Sequence, residues 1–410
     1  MTIGTELLLG FTIDTNAAEL GAALSSVGVR VVRRTTISDR ADEIRDAVSQ
    51  ALARTGAVLT TGGLGPTSDD ITKNIVAQLF GAELEYDPAI WDALRERFRK
   101  LGREPAERNR SQAEVPHGAT VLANRWGTAP GLWLEGTPGL AILLPGVPAE
   151  MRGLLRHEVV PRLAARGAGQ PIISATLRTT GIAESSLADR VAELEPDLAP
   201  LSLAYLPGAD GVDLRVTAWG LPPEEASRRL SEALALLRER AGDHAYGTDG
   251  EDLAAVTLQA AREGGIRLAV AESCTGGLVG GRLTAVPGSS DTFLGGVIAY
   301  DNSVKRDLLG VSGQLLSRYG AVSEPVARAM AEGACVRTGA EAAVSVTGIA
   351  GPAGGSEEKP VGTVWLATAV RGDVRASERH FLGDRSEIRH RAAQAGLFML
   401  LRHLRYYLSR

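Results

Sequence analysis

The sequence predicts an α/β protein built from successive domains, on three observations. At 410 residues the chain is too long for one ordinary core. Short apolar runs alternate with helical periodicity over residues 1–167 and again over 246–410, the pattern of a mostly parallel sheet covered by helices. Two of these runs open into glycine-rich turns, TGGLGPTSDD from Thr61 and ESCTGG from Glu272. Between the two α/β domains, residues 168–245 read as a small α+β domain.

Composition narrows the function classes. With 44% hydrophobic and 23% charged residues the chain reads as globular. A net charge of −5 gives no basic face, so a nucleic-acid partner is not expected. Two cysteines, Cys274 and Cys335, cannot build a disulfide framework, and a reducing cytoplasm is the expected compartment. No apolar run approaches the roughly 18 residues that span a bilayer, and no leader pattern opens the chain, so no membrane partner is expected. Apolar stripes on the helices point to a homo-oligomer, a dimer by expectation, although a core explains them equally well.

In the first domain almost no strand-like residues precede Gly4, so its first strand is short. Asn16 to Leu24 reads as a helix and Val29 to Thr35 as a strand. Ser38 and Asp39 can cap a helix from Ala41 to Arg54, and Ala57 to Thr61 is a short buried strand. In the turn that follows, Gly62, Gly63 and Gly65 let a ligand approach the backbone. Asp69 and Asp70 can hold a divalent cation bridging to a phosphate, or Asp69 can simply cap the next helix. The turn is neither a Walker loop nor a Rossmann fingerprint. RNRSQAEVP (108–116), NRWGTAPG (124–131) and LPGVPAEM (144–151) add polar groups at turns, with Asn124, Gly146 and Glu150 as candidate nucleotide contacts.

RGAGQP (166–171) reads as a linker. Ile172 to Thr180 alternates like a strand, Glu184 to Leu194 like a helix, and Leu201 to Leu206 with Val212 to Ala218 like a hairpin, before a helix running to about Ala241. The G-x-x-G spacing from Gly208 to Gly211 lies between two strands and carries an acid, so a hairpin turn explains it better than an RNA-clamping loop.

In the last domain a helix covers Glu251 to Glu263 and a strand runs from Ile266 to Ala271 into Ser273, Cys274, Thr275, Gly276 and Gly277. A PGSS turn with Ser289 and Ser290, a strand from Gly296 to Tyr300, and Lys305 follow. Hydroxyls with a lysine, and no histidine nearby, are the parts of a serine nucleophile served by an amine base. Ser290 is the preferred nucleophile or its direct partner, with Ser273 the alternative. Tyr300 is expected to relay the proton or orient a substrate ring. Lysine acts as a base only with a lowered pKa, so Lys305 is expected to be enclosed. Backbone N–H groups around Thr275, Gly276 and Gly277 can hold an oxyanion or a phosphate. Cys274 reads as a packed thiol. Ala343 to Val346 is a strand ending at Thr347 and Gly348, and Arg385, or Arg389 and Arg391, can clamp a phosphate near a helix start.

These segments carry a resemblance. GTELLLG with DTN, TGGLGPTSDDIT, NRWGTAPG and LPGVPAEM resemble the amino-terminal domain of the CinA family of competence/damage-inducible proteins, itself similar to the molybdopterin-binding fold. AESCTGG, PGSS, AYDNSVK, AVSEPVA, TGIAGPAGGSEEKPVGTVW and GDR resemble its carboxy-terminal domain, which also occurs alone as a nicotinamide-mononucleotide amidohydrolase. The family's middle segment is KH-like. The resemblance implies two activities. One is hydrolysis of the nicotinamide mononucleotide carboxamide, without a cofactor, using Ser273 or Ser290, Tyr300 and Lys305 with Thr275, Gly276, Gly277, Thr347, Gly348 and Arg385 around the substrate. The other is ADP-ribose cleavage with a divalent metal at Asp69 and Asp70. The competing reading is a nucleotide- or pterin-binding protein without turnover, acting in competence or DNA-damage response.

Overall fold

The computed structural model describes residues 1–167 and 169–410; Ala168, in the linker stretch and at the expected domain border, lies outside the described residues. The chain divides into two compact units, residues 1–173 with 219–226, and residues 174–218 with 227–410.

The first unit contains β1 (Thr2–Ile3), β2 (Thr36–Ile37), β3 (Ala57–Thr61), β4 (Leu84–Tyr86), β5 (Glu114–Pro116), β6 (Thr120–Leu122), β7 (Gly131–Gly136) and β8 (Gly139–Leu144). Its six-stranded sheet has the order β2-β1-β3-β8-β7-β6; the first four strands are parallel, and β7 and β6 turn antiparallel. The helices Thr15–Ser25 and Ala41–Thr55 form near their expected places, the first capped by Asp14, which accepts from Ala17 N. Residues 29–35 do not form the expected strand. The two-residue β1 pairs with β3 on one side and on the other only with Thr36 and Ile37, so apart from the bond from Thr2 N to Thr35 O no strand lies alongside 29–35 to take its backbone hydrogen bonds. A cavity of about 630 Å³ opens there instead, between residues 29–36 and Ala57–Leu59.

In the second unit, β9 (Ile173–Thr179), β10 (Ser202–Pro207), β11 (Val212–Ala218) and β12 (Ala245–Thr248) make a sheet in the order β10-β11-β9-β12. Gly208 N donates to Gly211 O across the β10–β11 turn, so the G-x-x-G segment is a hairpin turn. The other sheet uses β13 (Leu268–Glu272), β14 (Phe293–Ile298), β15 (Ala342–Gly348), β16 (Thr363–Val370) and β17 (Asp373–His380) in the order β14-β13-β15-β16-β17. β13 is parallel to both neighbours, and β15, β16 and β17 are antiparallel. The 24-residue helix Arg385–Leu408 buries Ile388, Leu397, Leu401 and Leu404 in the larger core cluster with β13, β15 and β16. The helix Glu324–Thr338 buries Val326, Met330 and Ala334 in a second cluster with Ala269, Ala271 and Ala343. Alternate strand residues therefore feed two faces.

This topology positions the site. After β13 the chain moves to one side to make β14, then crosses to the other side to make β15. The carboxyl ends of β13 and β15 thus border a switch point, where open α/β sheets leave a crevice.

Candidate active site

Ser273 follows the last residue of β13, and Thr347 and Gly348 end β15. Together with Cys274, Tyr300, Asn302, Lys305, Ala321, Val322, Ala350 and Arg385 they line a cleft of about 220 Å³ at the carboxyl edge of the sheet. Two helix starts aim side chains into it. Asp301 accepts from Ser303 N at 2.8 Å and caps the helix Asn302–Asp307, which turns Lys305 inward. Asp384 accepts from Glu387 N at 2.9 Å while Glu387 accepts from Asp384 N at 2.8 Å, a reciprocal cap that sets Arg385 at the rim.

Lys305 is 1% exposed. Its Nζ lies 2.8 Å from Ala299 O, 3.1 Å from Tyr300 O and 3.2 Å from Ser273 Oγ. The two carbonyls can only accept, so each holds one N–H of the amine. In the neutral amine the remaining lone pair is left for the Ser273 hydroxyl. Burial pushes the Lys305 pKa below the ordinary lysine value, against the pull of the Asp301 carboxylate. The expected enclosure of Lys305 is what the structure has.

Ser290 is not part of this arrangement. It is exposed, in the short turn Ser289–Asp291 that precedes β14, whereas Ser273 follows β13. β13 and β14 are parallel, so the two serines sit at opposite ends of the sheet, separated by a strand length of about 17 Å or more. The preference for Ser290 is therefore corrected: the serine beside the amine is Ser273.

The turn after β13 also departs from expectation. Glu272, 1% exposed, takes Gly277 N at 2.9 Å and Val279 N at 3.2 Å on one carboxylate oxygen, and Gly280 N at 2.8 Å on the other. Gly276 N donates to Ser273 O. Of the amides that the sequence offers to a substrate anion, Gly277 N is thus already taken by the protein's own carboxylate and Gly276 N by a backbone carbonyl, and Thr275, Gly276 and Gly277 do not line the cleft. Gly276 and Gly277 adopt φ of +60° and +96°, which bends the backbone around that carboxylate. From the other side Arg389 donates to Cys274 O at 3.1 Å and Thr275 O at 2.8 Å. Glu272 and Arg389 thus pin the N–H and C=O groups of one turn. An acid ending an apolar strand was the sequence signal for Glu272. Replacing it by glutamine is expected to cost about 3 kcal/mol, because a buried amide N–H group would then face backbone donors; urea denaturation measures this.

Tyr300 contributes its carbonyl to Lys305, but its ring is 62% exposed and its hydroxyl accepts from Arg385 at 3.0 Å. A proton relay from the hydroxyl has no hydrogen bond to Lys305 or Ser273 to travel along, so the geometry suits orientation of a substrate. Arg385 also donates to Gly351 O at 2.7 Å, and Thr347 Oγ1 donates to Ala321 O at 2.9 Å. Burial pushes the Cys274 thiol up to about 12, which keeps it out of nucleophilic chemistry.

In the amino-terminal unit, Gly62 and Gly146 lie against each other beyond the ends of β3 and β8, and Asn16 Nδ2 donates to Gly146 O at 2.8 Å. Gly65 leaves room for the Asp70 carboxylate, which a Cβ there would overlap. Asp70 Oδ2 accepts from both the N–H and the hydroxyl of Thr67, and Asp69 is exposed. Asn124 donates to Ala129 O and Glu150 Oε2 and accepts from Trp126 N and Gly127 N. Burial raises the Glu150 pKa. Asn124 and Glu150 therefore organise the 124–131 loop, and no recorded contact joins them to Asp70. Among the described residues no group of three or more His, Cys, Asp or Glu gathers as for a resident metal. The donor set suits a cation brought in on a phosphate and met by Asp70 through its remaining oxygen.

Three family models match the chain: the probable molybdopterin binding domain over residues 1–165, the damage-inducible protein CinA KH domain over 174–247, and the CinA C-terminal domain over 250–404. A CinA-like protein of Gemmatimonas aurantiaca is 54% identical over 406 residues, covering 98% of this chain and 95% of its own. A putative competence-damage inducible protein of Symbiobacterium thermophilum is 45% identical, covering 99% and 98%. The crystal structure of competence/damage inducible protein CihA from Agrobacterium tumefaciens shows 46% identity, covering 37% of this chain and 93% of that one, with a TM-score of 0.36. No helix among the described residues is long and apolar enough to cross a membrane. With relatives this similar along nearly its whole length, and with molybdopterin-binding-like, KH-like and CinA C-terminal domains in that order, the chain belongs to the CinA family.

Proposed function

We propose that the carboxy-terminal site hydrolyses the carboxamide of nicotinamide mononucleotide to the carboxylate with release of ammonia. The observation that carries this reading is the Ser273 hydroxyl 3.2 Å from the Nζ of a lysine 1% exposed. Ser273 Oγ attacks the carboxamide carbon while its proton passes to neutral Lys305. The tetrahedral intermediate then breaks its C–N bond, and Lys305 returns the proton to the departing nitrogen, which leaves as ammonia. Water attacks the resulting ester and gives a proton to Lys305; as the C–O bond to Ser273 breaks, Lys305 returns that proton to the serine oxygen and the acid is freed. The Ala299 and Tyr300 carbonyls hold the amine in place through the cycle. In this reading Tyr300 and Arg385, which line the cleft and bond to each other, orient the pyridine ring and the phosphate. Ammonia release from nicotinamide mononucleotide by the full chain is the test; a chain that releases none under conditions where it is folded loses this reading.

For the amino-terminal site we propose metal-dependent cleavage of ADP-ribose, in which water attacks one phosphorus of the pyrophosphate and AMP and ribose 5-phosphate separate. A divalent cation carried by the pyrophosphate would be held by Asp70 and would offset the phosphate charge. Both reactions act on pyridine-nucleotide chemistry, which gives one chain a reason to carry them as a salvage enzyme of the cytoplasm. The competing reading is nucleotide or pterin binding without turnover, and it uses the same loop; Asp70 tied to Thr67 favours it to the extent that the acid only closes the turn. Asp70→Ala separates the two: loss of metal-dependent ADP-ribose cleavage is expected, and unchanged turnover would reduce Asp70 to a turn-closing group.

A further inference from the structure

A carboxamide attacked by Ser273 passes its carbonyl electrons to oxygen, and that charge needs N–H donors already in place where it forms. The turn after β13 does not supply them, since Gly276 N and Gly277 N are bonded within the protein and neither residue lines the cleft. The end of β15 does.

Successive backbone groups of a strand alternate between its two neighbours, and β15 lies between β13 and β16. Ile349 N donates to Thr363 O, which directs residues 347 and 349 towards β16. Val346 O accepts from Ser273 N at 2.8 Å, which directs residues 346 and 348 towards β13. The next bond of that parallel ladder would run from Gly348 N to Ser273 O. It does not form. β13 ends at Glu272, the chain turns away, and Ser273 O accepts from Gly276 N instead. Gly348 N is thus directed into the space beside Ser273, with no hydrogen-bond partner recorded among the described residues, and Gly348 lines the cleft. The neighbouring Thr347 hydroxyl donates to Ala321 O and is not available.

The amine stands on the other flank. Ala299 N donates to Glu272 O and Ala299 O holds Lys305, so the lysine reaches Ser273 from the β14 side and Gly348 from the β15 side. One flank takes the proton of the nucleophile, and the other is free for the oxygen of the carbonyl.

We propose that the Gly348 N–H is the oxyanion donor of the carboxy-terminal site. It receives the charge that forms on the carboxamide oxygen as Ser273 Oγ bonds to the carbon and the serine proton passes to Lys305. The electron pair returns to the carbonyl when the C–N bond breaks. This rests on the reading of Ser273 as the nucleophile, and it adds the group that stabilises the tetrahedral intermediate. A side-chain variant cannot test a backbone N–H here, because a Cβ at 348 would lie 2.6 Å from Val364 Cγ2 and 2.9 Å from Thr363 O.

The test is therefore a crystal structure of the full chain with the boronic acid in which –B(OH)₂ replaces the carboxamide of nicotinamide mononucleotide. Ser273 Oγ bonds to boron, its proton passes to Lys305, and the tetrahedral boronate carries the charge and shape of the intermediate. One boronate oxygen is expected about 2.7–3.1 Å from Gly348 N. Calorimetry beside it is expected to show Ser273→Ala binding the boronate at least tenfold more weakly than the wild type. An adduct on Ser273 whose oxygens bond only to the Asn302 side chain, to the amides of 275–277 or to solvent would overturn Gly348 as the donor and leave the serine reading standing. No adduct on Ser273, or equal affinity in Ser273→Ala, would overturn both.

Discussion

Lys305→Ala is expected to lower kcat/KM for ammonia release from nicotinamide mononucleotide by about 10³-fold, the scale of a lost general base. The amine has three oxygens around it, and one of them is the nucleophile. Water that fills the space left by alanine can bond to the two carbonyls, but it is a far weaker base than an amine and does not restore the proton acceptor. Stability should move differently. Burial lowers the Lys305 pKa, so folding already works against its charge; Lys305→Met relieves that but leaves the Ala299 and Tyr300 carbonyls without their donor, and the two offset, so it is expected to melt close to the wild type. Activity lost with stability kept is the signature of a functional lysine. Activity and melting temperature falling together would mark Lys305 as a structural support for the turn.

The second large effect concerns the serines. Ser273→Ala is expected to lose activity by at least about 10³-fold, and Ser290→Ala to keep wild-type rates. Because Ser273 and Lys305 act on one proton, the double variant should be no slower than the slower single variant. Ammonia assays on the four proteins check this. Wild-type rates from Ser273→Ala, or a large loss from Ser290→Ala, would show that the attacking oxygen comes from the other end of the sheet.

Much of this site was readable along the chain because its parts are local. The turn after β13 and the Asp301 cap that turns Lys305 inward each depend on residues within a few positions. The choice between serines was not local. It depends on the direction of β14 relative to β13, and each serine stands beside an apolar run that reads the same from either end. Glycines and hydroxyls after a strand also read as an anion cradle, and only the fold shows that Glu272 bends back to occupy the amides of Gly277, Val279 and Gly280. In the first unit, the three valines and Thr35 of 29–35 read as a strand by composition. Strand formation needs a neighbour as well, and β1 offers one only at Thr36 and Ile37.

The measurement that bears most directly on the Ser273–Lys305 pair is the pH dependence of kcat/KM for nicotinamide mononucleotide. The base works only when neutral, and burial lowers its pKa, so protonation on the acid side should switch the enzyme off. The expected profile rises with pH along a limb whose midpoint lies below the ordinary lysine value of about 10.4, and the residual activity of Lys305→Ala lacks that limb. A rate that is flat or falls as pH rises, or the same limb persisting in Lys305→Ala, would contradict a neutral lysine as the base.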